Sequence, residues 1–209
     1  MPRPRSPETP ERILDVAEQL IQTRGYNGFS YADISAAVGI TKASLHYHFP
    51  TKAKLGLSLV RRYRQAFEAA LRALSTSRSD APALLRGYAD LYGSVLRRGR
   101  MCLCGMLAAE HRTLPVSMQR ALREFFDENE RWLAGVLAQG ERSGALRLSG
   151  PARDEARLLV AALEGALLLA GSYDDVRRFD AAAAGILDRL LPSRGPRRGL
   201  ERATARAVR

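Results

Sequence analysis

The chain has 209 residues, is 46 % apolar and carries a net charge of +11. That apolar content is ample for a packed globular core, and the longest apolar run, Leu158 to Ala170, is broken by Glu164 and too short to span a bilayer. The N-terminal Met-Pro-Arg-Pro-Arg-Ser-Pro lacks the apolar stretch of a secretion signal, and Cys102 and Cys104 suit a reducing compartment, so a cytoplasmic protein with no membrane association is expected.

The charge is unevenly spread. Residues 1–59 hold seven Lys/Arg against five Asp/Glu, residues 60–100 nine against three, residues 101–191 eleven against thirteen, and the last eighteen six against one. Nearly half of the excess therefore sits in the C-terminal tail, and global charge alone points only weakly to a polyanionic partner.

Residues 1–8 read as a flexible basic arm whose Arg3 and Arg5 could reach a minor groove or equally form an inert, solvated tail. From there helical periodicity dominates, nothing alternates usefully with the period of a strand, and the fold class is all-α. The first helix starts near Thr9-Pro10 and carries Ile13, Val16, Ala17, Leu20 and Ile21 as far as Arg24-Gly25. Ser30 caps a second, with Asp33 three residues on, and Ile34 and Val38 form its apolar stripe. Ser35 is small enough for another helix to cross closely. Gly39 sits at a sharp turn, where it can take a positive φ. Thr41 then caps a third helix anchored by Leu45 and ended by Phe49-Pro50. Lys42, Ala43, Ser44, His46, Tyr47 and His48 are left facing outward, as groups suited to base edges and phosphates.

This spacing resembles the DNA-binding domain of the tetracycline-repressor (TetR) family of bacterial regulators. The resemblance is carried by Ile13 to Gly25, Gly28-Phe29, Asp33-Ile34, Gly39, Thr41-Lys42, Leu45-His46-Tyr47-His48-Phe49, Lys52 and Leu55. The chain departs from the family's usual pattern mildly, at Ser35 and at Lys42-Ala43. The resemblance implies a three-helix helix-turn-helix domain over residues 9–55, with residues 41–48 in the major groove of double-stranded DNA. Thr41, Lys42, Ala43, Ser44 and His46 are then candidates for base edges or nearby phosphates. Tyr47, His48, Ser30 and Lys52 are candidates for phosphates, Lys52 together with the first-turn amides of the next helix. Tyr31 reads equally as a phosphate contact or as packing.

Thr51 caps a fourth helix through Leu55, Leu59, Tyr63, Phe67 and Leu71, which can bridge to a second unit over residues 56–191. Pro82 restarts a helix bearing Leu84, Leu85, Tyr88, Leu91, Tyr92 and Val95. Cys102 to Arg112 reads as a short helix, Val116 to Glu141 as a long one and Gly140 to Pro151 as a loop. Asp154 to Gly171 and Asp180 to Leu191 form a last pair, rich in Ala and Leu with Gly165, Gly171 and Gly185. That pair could pack within the chain or against a second copy, and the resemblance implies the second, a homodimer on a palindromic operator. Residues 192–209 read as a disordered basic tail.

The resemblance also implies that this larger unit binds a small-molecule effector. Tyr88, Tyr92, Met101, Met106, Phe125, Phe126 and Trp132 are candidate pocket walls, and Glu110, His111, Asn129 and Glu164 are polar groups that need partners. Glu164 could equally pair across a dimer interface. Cys104, near a helix start and after Arg97, Arg98 and Arg100, is a candidate thiolate sensor of electrophiles, with Cys102 beside it; two small buried hydrophobes are the alternative.

Enzyme chemistry is not expected. Cys104 and His111 lie two helical turns apart, about 10.5 Å along an axis, too far for a nucleophile and its base. No fourth ligand completes a zinc site with Cys102, Cys104 and His111, no Gly-rich phosphate loop is present, and no cofactor is expected. The expected function is a sequence-specific DNA-binding regulator of transcription, and the resemblance implies a repressor. The rival is a constitutive architectural DNA-binding protein acting through its basic tail.

Overall fold

The computed structural model describes residues 9–78 and 80–192, so the arm expected over residues 1–8 and residues 193–209 of the expected tail lie outside the described residues. Among the described residues there are nine α-helices and no strand: α1 (Thr9–Arg24), α2 (Tyr31–Val38), α3 (Lys42–His48), α4 (Lys52–Ser77), α5 (Ala81–Leu96), α6 (Leu103–Ala109), α7 (Val116–Arg142), α8 (Ala152–Ser172) and α9 (Val176–Asp188). A single 3-10 turn, His111–Thr113, joins α6 to α7.

The starts of α3, α4 and α5 follow from their caps. Thr41, Thr51 and Asp80 each accept a backbone N–H from the first turn, at 3.1, 3.1 and 2.7 Å. At α2 the Asp33 carboxylate takes both the Ser30 N–H and the Ser30 hydroxyl at 2.7 Å. Gly39 closes α2 in the left-handed region, φ 75°, with its N–H on Ser35 O. The last helix differs from expectation. It begins at Val176, four residues before Asp180, because Asp175 caps it through the Arg177 N–H.

The first three helices form the head, with Ile13, Ile21, Ile34, Leu45 and Leu55 fully buried between them and the start of α4. Arg12 of α1 also donates to Val38 O at the end of α2. Arg62 of α4 reaches Glu11, Asp15 and Glu18 of α1 at 3.2, 2.8 and 2.7 Å, fixing α1 along the long helix. The body packs α5, α7, α8 and the rest of α4 around Tyr88, Phe125, Leu107, Leu163 and Leu167, with α9 closing one side through Phe179.

Gly39→Ala forces a Cβ into the left-handed region although nothing crowds the position. It is expected to cost about 1 kcal/mol, read as a lowered unfolding temperature, with Gly39→Asn losing less.

Candidate functional site

At roughly 100° per residue along α3, with Leu45 pointing inward, Ala43 and Tyr47 point straight out. Ser44 and His48 flank that line on one side, Lys42 and His46 on the other. Tyr47 is 62 % exposed and meets the His48 ring edge-on at 5.2 Å. Thr41 caps the helix, so its oxygen accepts inward while its proton stays available outward.

Several expected contacts are redirected. Lys52 turns inward: its Nζ donates to Phe29 O at 2.5 Å and lies over the rings of Phe29 and Tyr26, at 4.1 and 4.8 Å. Burial lowers its pKa, and the cation is committed to the head's interior and not to a phosphate. The residue that sequence reasoning passed over is Lys54, which lies exposed in the first turn of α4. Its signal was the cap itself: Thr51 binds the Lys54 N–H, which fixes Lys54 at the helix mouth. The Ser30 proton is held by Asp33. Tyr31 donates to Phe49 O at 2.8 Å and so packs. His46 leans on Tyr31, with Nδ1 3.2 Å from Pro50 O, which leaves only its other nitrogen to face outward.

Glu110, expected among the pocket groups, is engaged at the seam between body and head. Its carboxylate reaches across to the head, accepting the backbone N–H of Tyr26 at 2.6 Å and both the backbone and side-chain N–H of Asn27 at 3.3 Å. Asn27 also donates to Thr113 at 2.8 Å, and Met101 N–H donates to Gln22 O. His111 sits in the 3-10 turn of this same seam, and Met106 packs against the core.

Of the remaining expected pocket residues, Tyr88, Tyr92, Phe125 and Trp132 come together, joined by Tyr63 and Phe67 of α4, which the sequence does not single out for a pocket. Tyr63, Phe67, Tyr88, Tyr92 and Phe125 form one aromatic cluster with neighbouring centroids 5.3 to 6.3 Å apart, and Trp132 stacks on Tyr88 at 5.7 Å. Tyr88 donates to Asn129 Oδ1 at 3.2 Å and lies 3.2 Å from the Tyr92 hydroxyl. An open groove of about 760 Å³ between α4 and α7 reaches this cluster, with Phe67, Phe125, Asn129 and Trp132 in its wall.

Behind the cluster lies Glu164. Its stem is partly exposed on the outer side of α8, but the carboxylate points inward, which excludes its pairing across an interface on that outer side. Both carboxylate oxygens are buried, and although Cys102 and Tyr92 lie close enough to ease the charge, neither completes a hydrogen bond to them. The carboxylate presses on Gly105 of α6, where a Cβ would lie 3.1 Å from its carboxyl carbon and nearer still to one oxygen. Burial lifts the Glu164 pKa from 4.5 to about 7.

The cysteines correct the sensor expectation. Both are buried, and burial, with Glu164 nearby, pushes both thiols well above their ordinary range. Arg97, expected to favour a thiolate, instead pairs with Asp180 of α9 at 2.8 Å. Cys102 accepts from Tyr63 at 3.7 Å and behaves as part of the packed interior.

The groups whose fields reach this part of the core, Tyr63, Tyr88, Tyr92, Cys102 and Cys104, are all shifted upward and include no cation. Glu164 is therefore protonated in the folded chain over a range where the unfolded chain is ionised. Stability should fall as pH rises from about 4.5 to about 7, by on the order of 3 kcal/mol. Glu164→Gln should flatten that slope in denaturant titrations at stepped pH.

Comparison with known proteins agrees with this architecture. The sequence pattern of "Bacterial regulatory proteins, tetR family" matches residues 13–59, which span the head and the first turns of α4. A TetR-family regulator from Agrobacterium tumefaciens is 37 % identical, with a TM-score of 0.86 over 88 % of this chain and 98 % of its own. A TetR regulator from Legionella pneumophila is 33 % identical, with a TM-score of 0.79 over 90 % of this chain and all of its own (100 %). Among curated relatives, the transcriptional repressor DhaR of Mycobacterium sp. (strain GP1) is 24 % identical over 186 residues, 88 % of this chain and 92 % of DhaR. With its capped helix-turn-helix, its all-helical body and relatives of this identity across nearly their whole length, the chain belongs to the TetR family of DNA-binding transcriptional regulators.

Proposed function

We propose that this regulator is a homodimeric repressor that binds a palindromic operator and is released by a small molecule held in the body. The observation that carries the reading is the outward face of α3. A short strip of Ala43 and Tyr47, flanked by Lys42, Ser44, His46 and His48, stands clear of the head on a helix fixed from behind by Leu45. Such a strip fits a major groove, where a small residue permits close approach and the flanking donors meet base edges or phosphates. Thr41 and Lys54 extend it at the mouths of α3 and α4, supplying an outward hydroxyl and an unpaired cation.

One such strip covers too little DNA for tight binding, and α8 supports pairing. Leu158, Leu168 and Leu169 lie 64, 42 and 66 % exposed along it, and Gly165 and Gly185 have open space where a Cβ would stand. An apolar face with small residues suits the close approach of a second copy. The similarity to DhaR, a transcriptional repressor, supports the sign of regulation. The aromatic cluster and its groove support the effector site.

Selection of bound fragments from random DNA should recover a palindrome with half-sites about one helical turn apart, whereas recovery without preference would favour the architectural rival. Lys54→Ala should weaken operator binding evenly across sequences and reduce its log-log salt slope by about one, while Lys52→Met should lower the unfolding temperature and spare that slope. Leu169→Glu should yield monomers in sedimentation analysis and lose operator affinity with the dimer.

A further inference from the structure

Glu164 is a buried acid that the fold does not satisfy. Three helices surround its carboxylate: α6 and its N-cap supply Gly105 and Cys102, α5 supplies Tyr92, and α4 supplies Tyr63. None brings a Lys or Arg. Tyr63 donates to the Cys102 sulfur and Tyr88 to Asn129, so only the Cys102 thiol and the Tyr92 hydroxyl lie close enough to ease the acid, and neither is charged. The Tyr92 hydroxyl, 3.2 Å from that of Tyr88, has one proton to share between its tyrosine neighbour and the acid.

A carboxylate left with two unpaired oxygens inside a core is costly. What surrounds it specifies what would relieve that cost. The rings of Tyr63, Phe67, Tyr88, Tyr92 and Phe125 offer apolar area and the negative faces that attract an organic cation. The lone carboxylate offers acceptors for N–H donors. A metal ion does not fit, because no group of three or more His, Cys, Asp or Glu among the described residues could hold one. The route inward is also defined: Phe67 and Phe125, 5.3 Å apart, separate the α4–α7 groove from the layer of Tyr63 and Tyr92.

We propose that the effector is a hydrophobic organic amine, bound as its ammonium ion, whose charge meets Glu164 and whose apolar part lies among Tyr63, Phe67, Tyr92 and Phe125. This rests on the reading of the body as an effector chamber and assigns the chemical class that the chamber selects. Entry through the groove displaces the Phe67 and Phe125 rings. Gly105 is then a specificity residue as well, because a side chain there would push the acid away from the cluster.

The chain's single tryptophan, Trp132, lines the groove and reports binding directly. The full-length protein is titrated with 2-phenylethylammonium, with the neutral 2-phenylethanol and with phenylacetate, following Trp132 emission and, separately, release of the selected operator. The ammonium ion should bind on the order of tenfold or more tightly than the alcohol, and phenylacetate least. Glu164→Gln should erase the preference for the ammonium ion while leaving binding of the alcohol within about twofold, with retained helical circular dichroism as the control for folding. Equal binding of the alcohol or the acid by the unmodified protein, or an unaltered preference in Glu164→Gln, overturns the cation assignment and leaves the chamber standing. Silence from all three probes in both readouts overturns the chamber together with the assignment.

Discussion

Helix α4 belongs to two units at once, and this shared helix constrains everything else in the molecule. Its first turn completes the head: Thr51 caps it, Leu55 enters the head's core, and Lys52 braces the loop at Phe29. Two turns later Arg62 gathers three acids of α1. Beyond that, Tyr63 and Phe67 join the aromatic cluster of the body. Twenty-six residues of continuous helix, about 39 Å, leave no joint at which head and body could move independently. Tyr63 and Phe67 in the body thus sit on the same continuous helix as Lys52 in the head. Individually the surface ion pairs are weak. Their use here is directional, since Arg62 ties α1 to one side of the lever and the Glu110 seam ties the next loop to the body.

The burial of charge follows the same division. Lys52 and Glu110 are each partly withdrawn from water at the seam, and each is met by backbone groups of the head. Glu164 is withdrawn in the body and is met by nothing comparable. The first pattern is that of a structural element whose polar atoms are satisfied, the second that of the acid proposed above to receive a ligand.

How far the sequence discloses this depends on the range of the interaction. Helix starts are local, so Ser30, Thr41 and Thr51 show themselves as caps, and the Gly39 turn is legible from one residue. The start of α9 is less so, because Asp174-Asp175 reads as loop and Arg177-Arg178 interrupt the apolar spacing of Val176 and Phe179. The outward face of α3 follows from the position of Leu45 alone. Lys52 and Lys54 share a first turn and a charge, and only packing against Phe29 and Tyr26 decides which of them turns away from solvent. Contacts across 80 residues leave no local trace, which is why Glu110 reads as a pocket acid although its partners are Tyr26 and Asn27. The two cysteines mislead for a related reason: neighbouring arginines in sequence suggest a stabilised thiolate, whereas Arg97 faces α9 and the sulfurs face the core.

The seam at Glu110 has a meaning for how such proteins diversify. Its acceptor atoms meet main-chain amides, which every sequence supplies, but the loop must also leave room: at Gly25, φ 80°, an added Cβ would stand 2.9 Å from the Glu110 carboxylate. The reading head is thus not a portable cassette. Recombination that grafts a new head onto this body inherits the requirement for a loop of this shape at residues 25–27, whatever bases its third helix recognises, and operator preference can change far more freely than the fit between the two units.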